Sequence, residues 1–184
     1  MKPLEMKFSN IFELMGQEFP KKKIPFLLIG GFALHFYGIN RQTFNVDFMI
    51  HDKQFEAVKT ILEQEYYCEY KDSLFYRFQP KINKENLSLN FLFVDKKTLR
   101  GLLEKGKKVI LSNQEVVVPH LLHLIALKIH AIQQNSKREY KDLLDIMELM
   151  RKNKLAPDHK EVRALFEKYG KPALFKKVLL LWEK

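Results

Sequence analysis

The sequence predicts an α/β (α+β) protein with two lobes, and the order of its hydrophobic patterns carries that prediction. Strand-like and helical segments alternate up to residue 118, and the pattern is entirely helical from Pro119 onward. At 184 residues the chain is long enough to bury a substantial core. We therefore expect a small mixed sheet flanked by helices in residues 1–118 and a helical lobe in residues 119–184.

The first lobe opens with a helix and a strand that lead to paired glycines. Apolar residues at helical spacing predict a helix over residues 9–19, and an apolar run predicts a strand over residues 24–29. Gly30 and Gly31 follow directly. A turn of two glycines lets the backbone approach a bound group closely, so this turn is a candidate phosphate cradle.

The second strand carries a polar pair. Asn45 and Asp47 alternate with apolar residues, so their side chains share the face opposite the apolar one. Asparagine is depleted in strand interiors, so its presence here favours a site over ordinary packing. The apolar residues of this strand are Phe44, Val46, Phe48 and Ile50.

The remaining elements of the first lobe follow from the same criteria. In order, they are a helix beginning at Asp52 and ending near residue 65, a hairpin of residues 66–70 and 74–78, a strand over residues 86–94, a helical turn over residues 98–104, and strands over residues 109–111 and 115–118. In the strand over residues 86–94, alternation places Asn90 on the face opposite the apolar side chains. Asn90 therefore resembles Asn45 in kind and placement.

Capping residues divide the helical lobe into separate helices. The predicted starts and stops are, in order, Pro119 in the first turn of a helix that ends near residue 134, a capping box of Ser136 with Glu139, a second capping box of Asp158 with Glu161, a stop at Gly170 and a start at Pro172. Lys128 lies among apolar neighbours on the first of these helices, which predicts that its side chain is partly buried.

The helix that follows Ser136 has two predicted faces. The buried face carries Tyr140, Leu143, Leu144, Met147 and Met150, and the other face carries Arg138, Lys141, Asp142 and Asp145. The carboxylates can pair with the neighbouring cations at helical spacing, or the cluster can bind phosphate. The sequence leaves both interpretations open.

Charge and cysteine content bear on partners and compartment. The first 98 residues contain 14 basic and 12 acidic residues, and the rest contain 18 and 10. This excess favours polyanions such as RNA or nucleotides, or an acidic protein, although a solvated lysine-rich surface accounts for it equally well. Because Cys68 is the one cysteine, no internal disulfide forms, and we expect a cytoplasmic protein with a buried thiol. No apolar run reaches the length of a bilayer span, and the N-terminal segment is too polar for a secretory signal.

The stretch over residues 28–50, LIGGFALHFYGINRQTFNVDFMI, resembles the signature of the nucleotidyltransferase superfamily, in particular its AbiEii-like or MNT-like branch. That signature has an apolar residue, Gly followed by Gly or Ser, a spacer, commonly Arg-x-Thr, and then Asp-apolar-Asp on the next strand. Gly30 and Gly31 match the first part, and Arg41 with Thr43 matches the second. Asn45 departs from it, because it stands where the first Asp is expected.

A second stretch, in the helical lobe, is similar to another pattern of the same family. The family has Leu-Ile-Ala-x-Lys on one helix and Arg-x-x-Lys-Asp on the next. Lys128, Arg138, Lys141 and Asp142 occupy the matching positions. The resemblance thus covers residues 24–150, which is most of the chain.

The resemblance implies a nucleotidyltransferase-like fold with a cleft between the lobes, and an Mg²⁺-dependent activity. In the family that activity moves a nucleoside monophosphate from an NTP to RNA, protein or a small molecule, often in toxin–antitoxin or phage-defence systems. Three clustered carboxylates hold the metal, and the corresponding positions here are Asn45, Asp47 and Asn90, with one negative charge among them. A neutral amide oxygen is a weaker ligand for Mg²⁺ than a carboxylate. We therefore expect Mg²⁺ binding to be weak or absent.

The resemblance also implies roles for individual residues. Gly30 and Gly31 would cradle phosphate; Arg41, Thr43, Lys128, Arg138 and Lys141 would bind nucleotide; Asp47, Lys128 and Asp142 would be the catalytic residues; Asp47, Asn45 and Asn90 would hold metal.

Three functions compete at this point. We favour a pseudoenzyme that binds NTP or RNA such as tRNA in the cleft between the lobes, with an antitoxin-like protein as a further partner and no membrane association. The first alternative is an active Mg²⁺-dependent nucleotidyltransferase. The second is a protein-interaction scaffold that uses the fold alone.

Overall fold

A computed structural model describes residues 11–82 and 87–183 of the chain. The helices are α1 Ile11–Lys21, α2 Gly30–His35, α3 Phe55–Leu62, α4 Lys96–Glu104, α5 Leu121–Gln134, α6 Glu139–Lys152, α7 Lys160–Tyr169 and α8 Pro172–Trp182. The strands are β1 Phe26–Ile29, β2 Asn45–His51, β3 Tyr66–Lys71, β4 Phe75–Pro80, β5 Ser88–Val94, β6 Lys107–Leu111 and β7 Gln114–Val118. The predicted α/β class is confirmed, while the helix start at residue 9 and the strand start at residue 86 lie outside the described residues.

Five strands form one mixed sheet in the order β1-β2-β5-β4-β3. Strands β2 and β5 are parallel, and the other three pairings are antiparallel. The parallel pairing places Asp47 directly opposite Asn90. The antiparallel pairing of β4 with β5 places Arg77 on the other side of Asn90.

One face of this sheet is an aromatic core. Phe48 and Phe91 stack with ring centroids 5.3 Å apart, and Phe78 meets Phe91 edge-on at 5.7 Å. Phe55 of α3 closes the layer by stacking on Tyr76 at 3.9 Å. Because side chains alternate along a strand, the burial of these rings directs Asp47, Asn90 and Arg77 to the opposite face.

The rest of this part of the chain packs around the first two strands. Helix α4 contacts β1 and β2, while β7 of the β6–β7 hairpin contacts β1 and α1. Phe19 of α1 meets Phe26 of β1 edge-on at 5.4 Å. These contacts hold β1, and with it the start of α2, in place.

The chain divides into two compact units. The sheet unit comprises the described residues up to Phe32 together with Gln42–Val118, and the helical unit comprises Ala33–Arg41 and Pro119–Lys184. Segment Ala33–Arg41 therefore belongs with the helices, whereas the predicted division at Pro119 assigned it to the first lobe. Its Tyr37 hydroxyl donates to the Pro119 carbonyl at 2.6 Å, and Asn153 Nδ2 donates to the Tyr37 carbonyl at 3.2 Å.

Helices α5 to α8 build the core of the helical unit. Helix α5 packs on α6 and α7, and α8 packs on α6 and α7. The buried side chains include Ile125, Ile129, Ile146, Leu149, Met150, Val162, Phe166, Leu174 and Val178. No helix in residues 11–82 and 87–183 is long and apolar enough to cross a lipid bilayer.

Several local predictions about helix starts were wrong. Helix α5 begins at Leu121 with His120 as its N-cap, so Pro119 precedes the helix instead of lying in its first turn. The Ser136–Glu139 capping box is not formed. Instead, Asn135 Oδ1 accepts from the Lys137 amide and starts a 3₁₀ turn that leads into α6. A 3₁₀ turn likewise replaces the first turn of the helix predicted from Asp52. Short polar side chains compete for the same backbone donors, so several of them can serve as the cap.

Two predictions about burial were also wrong. Tyr140 and Leu144 of α6 are exposed, at 80% and 46%, whereas Asp142 and Asp145 are buried. The carboxylates turn inward because Lys128 of α5 is buried opposite them. Cys68 is exposed, since it lies on β3 at the edge of the sheet.

Candidate functional site

The predicted site residues fall into two groups, one in each compact unit. The sheet unit holds Gly30, Gly31, Thr43, Asn45, Asp47 and Asn90, and the helical unit holds Arg41, Lys128, Arg138, Lys141 and Asp142. Arg41 and Thr43, which belong to one sequence motif, thus enter different groups. Each group has its own geometry.

In the sheet unit, two amides donate to the same carboxylate oxygen. Asn45 Nδ2 lies 2.7 Å from Asp47 Oδ1, and Asn90 Nδ2 lies 2.8 Å from the same atom. Asn45 precedes Asp47 by two positions on β2, and Asn90 is its partner across the parallel ladder. Hydrogen bonds from neutral donors therefore compensate the negative charge of Asp47.

The paired glycines leave room for two side chains of this group. Gly30 has φ +67°, and a Cβ there would lie 2.0 Å from Asp47 Oδ2. A Cβ on Gly31 would lie 2.7 Å from Thr43 Oγ1. The Thr43 hydroxyl donates to the Asn45 carbonyl at 3.1 Å. Gly30 and Gly31 start helix α2 rather than forming an open turn, and close packing accounts for both glycines.

A cation that belongs to neither family motif completes the group. Arg77 Nε donates to Asn90 Oδ1 at 3.0 Å. The alternation of Phe75, Arg77 and Gln79 with Tyr76 and Phe78 places Arg77 on the polar face, but the register that brings it beside Asn90 is set by strand pairing. The sequence feature that could have indicated Arg77 is a charged residue within a strand rich in aromatic residues.

These residues do not fit a magnesium site of the family type. One Asp47 oxygen already accepts from two N–H groups, and the Asn90 carbonyl oxygen accepts from a guanidinium. Magnesium requires a near-octahedral set of oxygen ligands, commonly including carboxylates. Within residues 11–82 and 87–183, no group of three or more His, Cys, Asp or Glu side chains is arranged to hold a metal ion.

In the helical unit, two buried aspartates share one buried lysine. Lys128 Nζ lies 2.7 Å from Asp142 Oδ1 and 2.5 Å from Asp145 Oδ2. The exposed fractions of the three residues are 6%, 0% and 4%, so these ion pairs are shielded from water. Arg138 Nε donates to Asp142 Oδ2 at 2.8 Å, and Arg41 pairs with Asp145.

The charges of this group do not cancel. Arg41, Lys128, Arg138 and Lys141 bring four positive charges, against two from Asp142 and Asp145. Burial alone would raise the pKa of the Asp142 carboxyl, but attraction from Lys128 and hydrogen bonds from Arg138 and Lys128 hold it below its ordinary value. Desolvation, together with repulsion from Arg41, lowers the pKa of the Lys141 ammonium. The group is therefore suited to an additional anion.

The ion-pairing interpretation of the second motif is confirmed in part, and phosphate binding by this cluster stays a prediction. Asp142 pairs with Arg138 at i,i+4 as helical spacing predicts, whereas Asp145 pairs with Arg41 and Lys128. The contribution of Arg41 was not predictable from spacing, because 104 positions separate it from Asp145. The roles predicted for the eleven site residues stay predictions.

One family matches almost the whole chain. The family described as "Nucleotidyl transferase AbiEii toxin, Type IV TA system" matches residues 13–182. A search among curated proteins found no match.

Several solved structures share the fold. The antibiotic-resistance factor ANT(2″)-Ia superimposes with a TM-score of 0.64 at 10% identity, covering 94% of this chain and 92% of its own. A nucleotidyltransferase-like protein from Paracoccidioides brasiliensis gives 0.54 at 16% identity, covering 90% and 88%. A nucleotidyltransferase-annotated protein from Thermotoga maritima gives 0.54 at 7% identity, covering 73% and 91%. At these identities the similarity establishes the fold.

Proposed function

We propose, on the premise that this chain belongs to the AbiEii nucleotidyl transferase family, that it binds a nucleoside triphosphate but is impaired in metal-dependent transfer. The observation that carries this proposal is the pair of amide hydrogen bonds on Asp47. These two hydrogen bonds stabilise the Asp47 carboxylate without a metal ion and occupy Oδ1, so a metal ion must displace them to bind that atom.

The charge of the helical group supports phosphate binding. Lys128 is committed to two carboxylates, so the outer cations Arg41, Arg138 and Lys141 are the better candidates to meet a phosphate. Within the described part of the chain, the Lys141 ammonium makes no ion pair. An arriving phosphate would relieve the repulsion between Lys141 and Arg41.

Binding and transfer can be measured separately. We expect ATP or another NTP to raise the melting temperature equally in EDTA and in excess Mg²⁺. We also expect α-labelled NTPs to leave no label on tRNA or on proteins of a cell extract. Label transfer that Asp47→Ala abolishes would establish the active enzyme instead, and a melting temperature unaffected by any nucleotide would favour the protein scaffold.

Restoring the carboxylates tests the same proposal from the opposite direction. In the double variant Asn45→Asp with Asn90→Asp, three carboxylates meet where one stands now, and we expect Mg²⁺ to raise its melting temperature by several degrees. The wild type and the matched control Asn113→Asp, on an exposed turn, should not respond to Mg²⁺. A magnesium response in the wild type would contradict the proposal.

A toxin–antitoxin role is the biological setting we propose. The description of the family names a type IV toxin–antitoxin system. We accordingly propose an antitoxin-like protein as a partner, encoded beside this chain. Co-expression of the two genes, scored by growth, tests whether the neighbour relieves any toxicity of this protein.

A further inference from the structure

A single row of side chains crosses the five-stranded sheet on the face opposite its aromatic core. Strand register aligns Ile29, Asp47, Asn90, Arg77 and Tyr70 in that order, from β1 to β3. The row therefore joins the candidate site at Asp47 to the exposed outer strands.

Hydrogen bonds run through this row with a consistent direction. Arg77 Nε donates to Asn90 Oδ1, and Asn90 Nδ2 donates to Asp47 Oδ1. An amide at position 90 can accept from the guanidinium and donate to the carboxylate at the same time, whereas an ionised carboxylate cannot donate. Asn90 is thus matched to an arginine on one side and an aspartate on the other.

The guanidinium of Arg77 is held but not covered. Its Nε is bonded to Asn90, and its Cζ lies 5.7 Å from the centroid of the Phe75 ring. The side chain is exposed, and no residue in 11–82 or 87–183 makes an ion pair or a further hydrogen bond with its terminal nitrogens. Two planar donors therefore face solvent in the arrangement that binds phosphate in a bidentate manner.

We infer that Arg77 is a phosphate-binding residue. Its guanidinium provides the positive charge for phosphate that a metal ion would provide if the row around Asp47 contained more carboxylates. The ligand class is a phosphate group, carried by a nucleotide or by an RNA backbone. The inference rests on the proposed function and adds a residue that neither family motif contains.

The charge balance of the row supports this assignment. Without Arg77 the row would carry only the negative charge of Asp47, which repels phosphate. Two acidic residues of the β3–β4 hairpin already have partners within it. Gln79 donates to Glu69 on β3, and the Tyr70 hydroxyl and the Leu74 and Phe75 amides donate to Asp72 in the turn. Arg77 thus brings a positive charge into the row through its hydrogen bond to Asn90.

Calorimetry in EDTA tests the inference with three phosphate probes: ATP, pyrophosphate and a single-stranded RNA oligonucleotide. We expect Arg77→Gln to weaken binding of at least one probe about tenfold or more, since it removes charge-assisted hydrogen bonds. Arg77→Lys should show an intermediate loss, because it keeps the charge without the planar pair of donors. The matched control Arg100→Gln, on the exposed face of α4, should bind as the wild type does.

The outcomes separate the two proposals. Losses with ATP and pyrophosphate identify a nucleotide ligand, and a loss with RNA alone identifies the nucleic-acid backbone. If Arg77→Gln binds all three probes as tightly as the wild type, the inference is overturned while the proposed function stands. If the wild type binds these probes only when Mg²⁺ is added, both are overturned. Because Arg77 is exposed, unchanged thermal unfolding of each variant is the check on folding.

Discussion

At the scale of single residues, the glycines of the first motif acquire a structural explanation. Gly30 combines a positive φ with contact to the Asp47 carboxylate, and Gly31 lies against Thr43. Close packing against Asp47 and Thr43 therefore requires glycine at both positions, whether or not a phosphate binds there. The spacing between the glycines and the polar residues of the motif is the one that brings Gly30 against Asp47 and Gly31 against Thr43.

A substitution at Gly30 should show this coupling. We expect Gly30→Ala to destabilise the fold by roughly 2 kcal/mol or more, because it combines backbone strain with a Cβ placed against Asp47. Gly38→Ala is the matched control: its φ is +81°, but a Cβ there meets no heavy atom within 4 Å, so it carries the strain alone. Urea unfolding of both variants makes the comparison, and equal losses would show that the contact with Asp47 is unimportant.

Residue chemistry was predictable in part. Alternation along the strands correctly placed Asn45 and Asp47 on one face and Asn90 on the face that meets them. Arg77 was missed because its partner Asn90 lies 13 positions away on another strand, and strand register depends on the assembled sheet.

At the scale of elements, helix α6 shows how a buried charge overrides an amphipathic pattern. Counting apolar residues predicted that Tyr140 and Leu144 would lie on the buried face and Asp142 on the other face, whereas Tyr140 and Leu144 are exposed and Asp142 is buried. Lys128 on α5 is the cause, because a buried ammonium requires carboxylates within hydrogen-bond distance. The face that α6 buries is thus decided by its neighbour.

The pH dependence of stability should report this buried group. The pKa of Asp142 is lower in the folded state, so the unfolded chain binds more protons and the stabilisation is lost as the pH falls below about 4. We expect Asp142→Asn to cost roughly 3 kcal/mol at neutral pH, because it leaves Lys128 with one carboxylate. The difference from the wild type should shrink steadily toward pH 3.

Urea unfolding midpoints between pH 7 and pH 3 provide the measurement. The exposed Asp158→Asn is the matched control and should track the wild type throughout, because the capping box predicted for Asp158 is not formed and α7 begins after His159. A gap between Asp142→Asn and the wild type that stays constant down to pH 3 would argue against charge pairing at Asp142.

At the scale of the whole molecule, the chain path and the net charge are the main features. The chain enters the helical unit at Ala33, returns to the sheet unit at Gln42 and enters the helical unit again at Pro119. This path places Arg41 among the helical cations. The protein carries a net charge of +10, most of it in residues 99–184.

This positive charge predicts that the protein binds polyanions in a salt-dependent manner. We expect a single-stranded RNA oligonucleotide to bind with an affinity that falls about tenfold or more between 50 and 200 mM salt, because bound phosphates release counterions. An uncharged peptide nucleic acid of the same sequence is the control and should not bind. Fluorescence anisotropy across the salt series measures the slope, and salt-independent binding would show that contacts other than phosphate dominate.

The sequence by itself determined the fold class, the order of most elements and the polar positions on β2, β5 and α6. These depend on local periodicity and on motifs of adjacent residues, which the chain carries wherever it folds. Tertiary structure alone decided that Asn90 donates to Asp47, that Arg77 meets Asn90 and that Arg41 pairs with Asp145. Each of these depends on strand register or helix packing, which brings together side chains that are distant in sequence, and no local pattern specifies them.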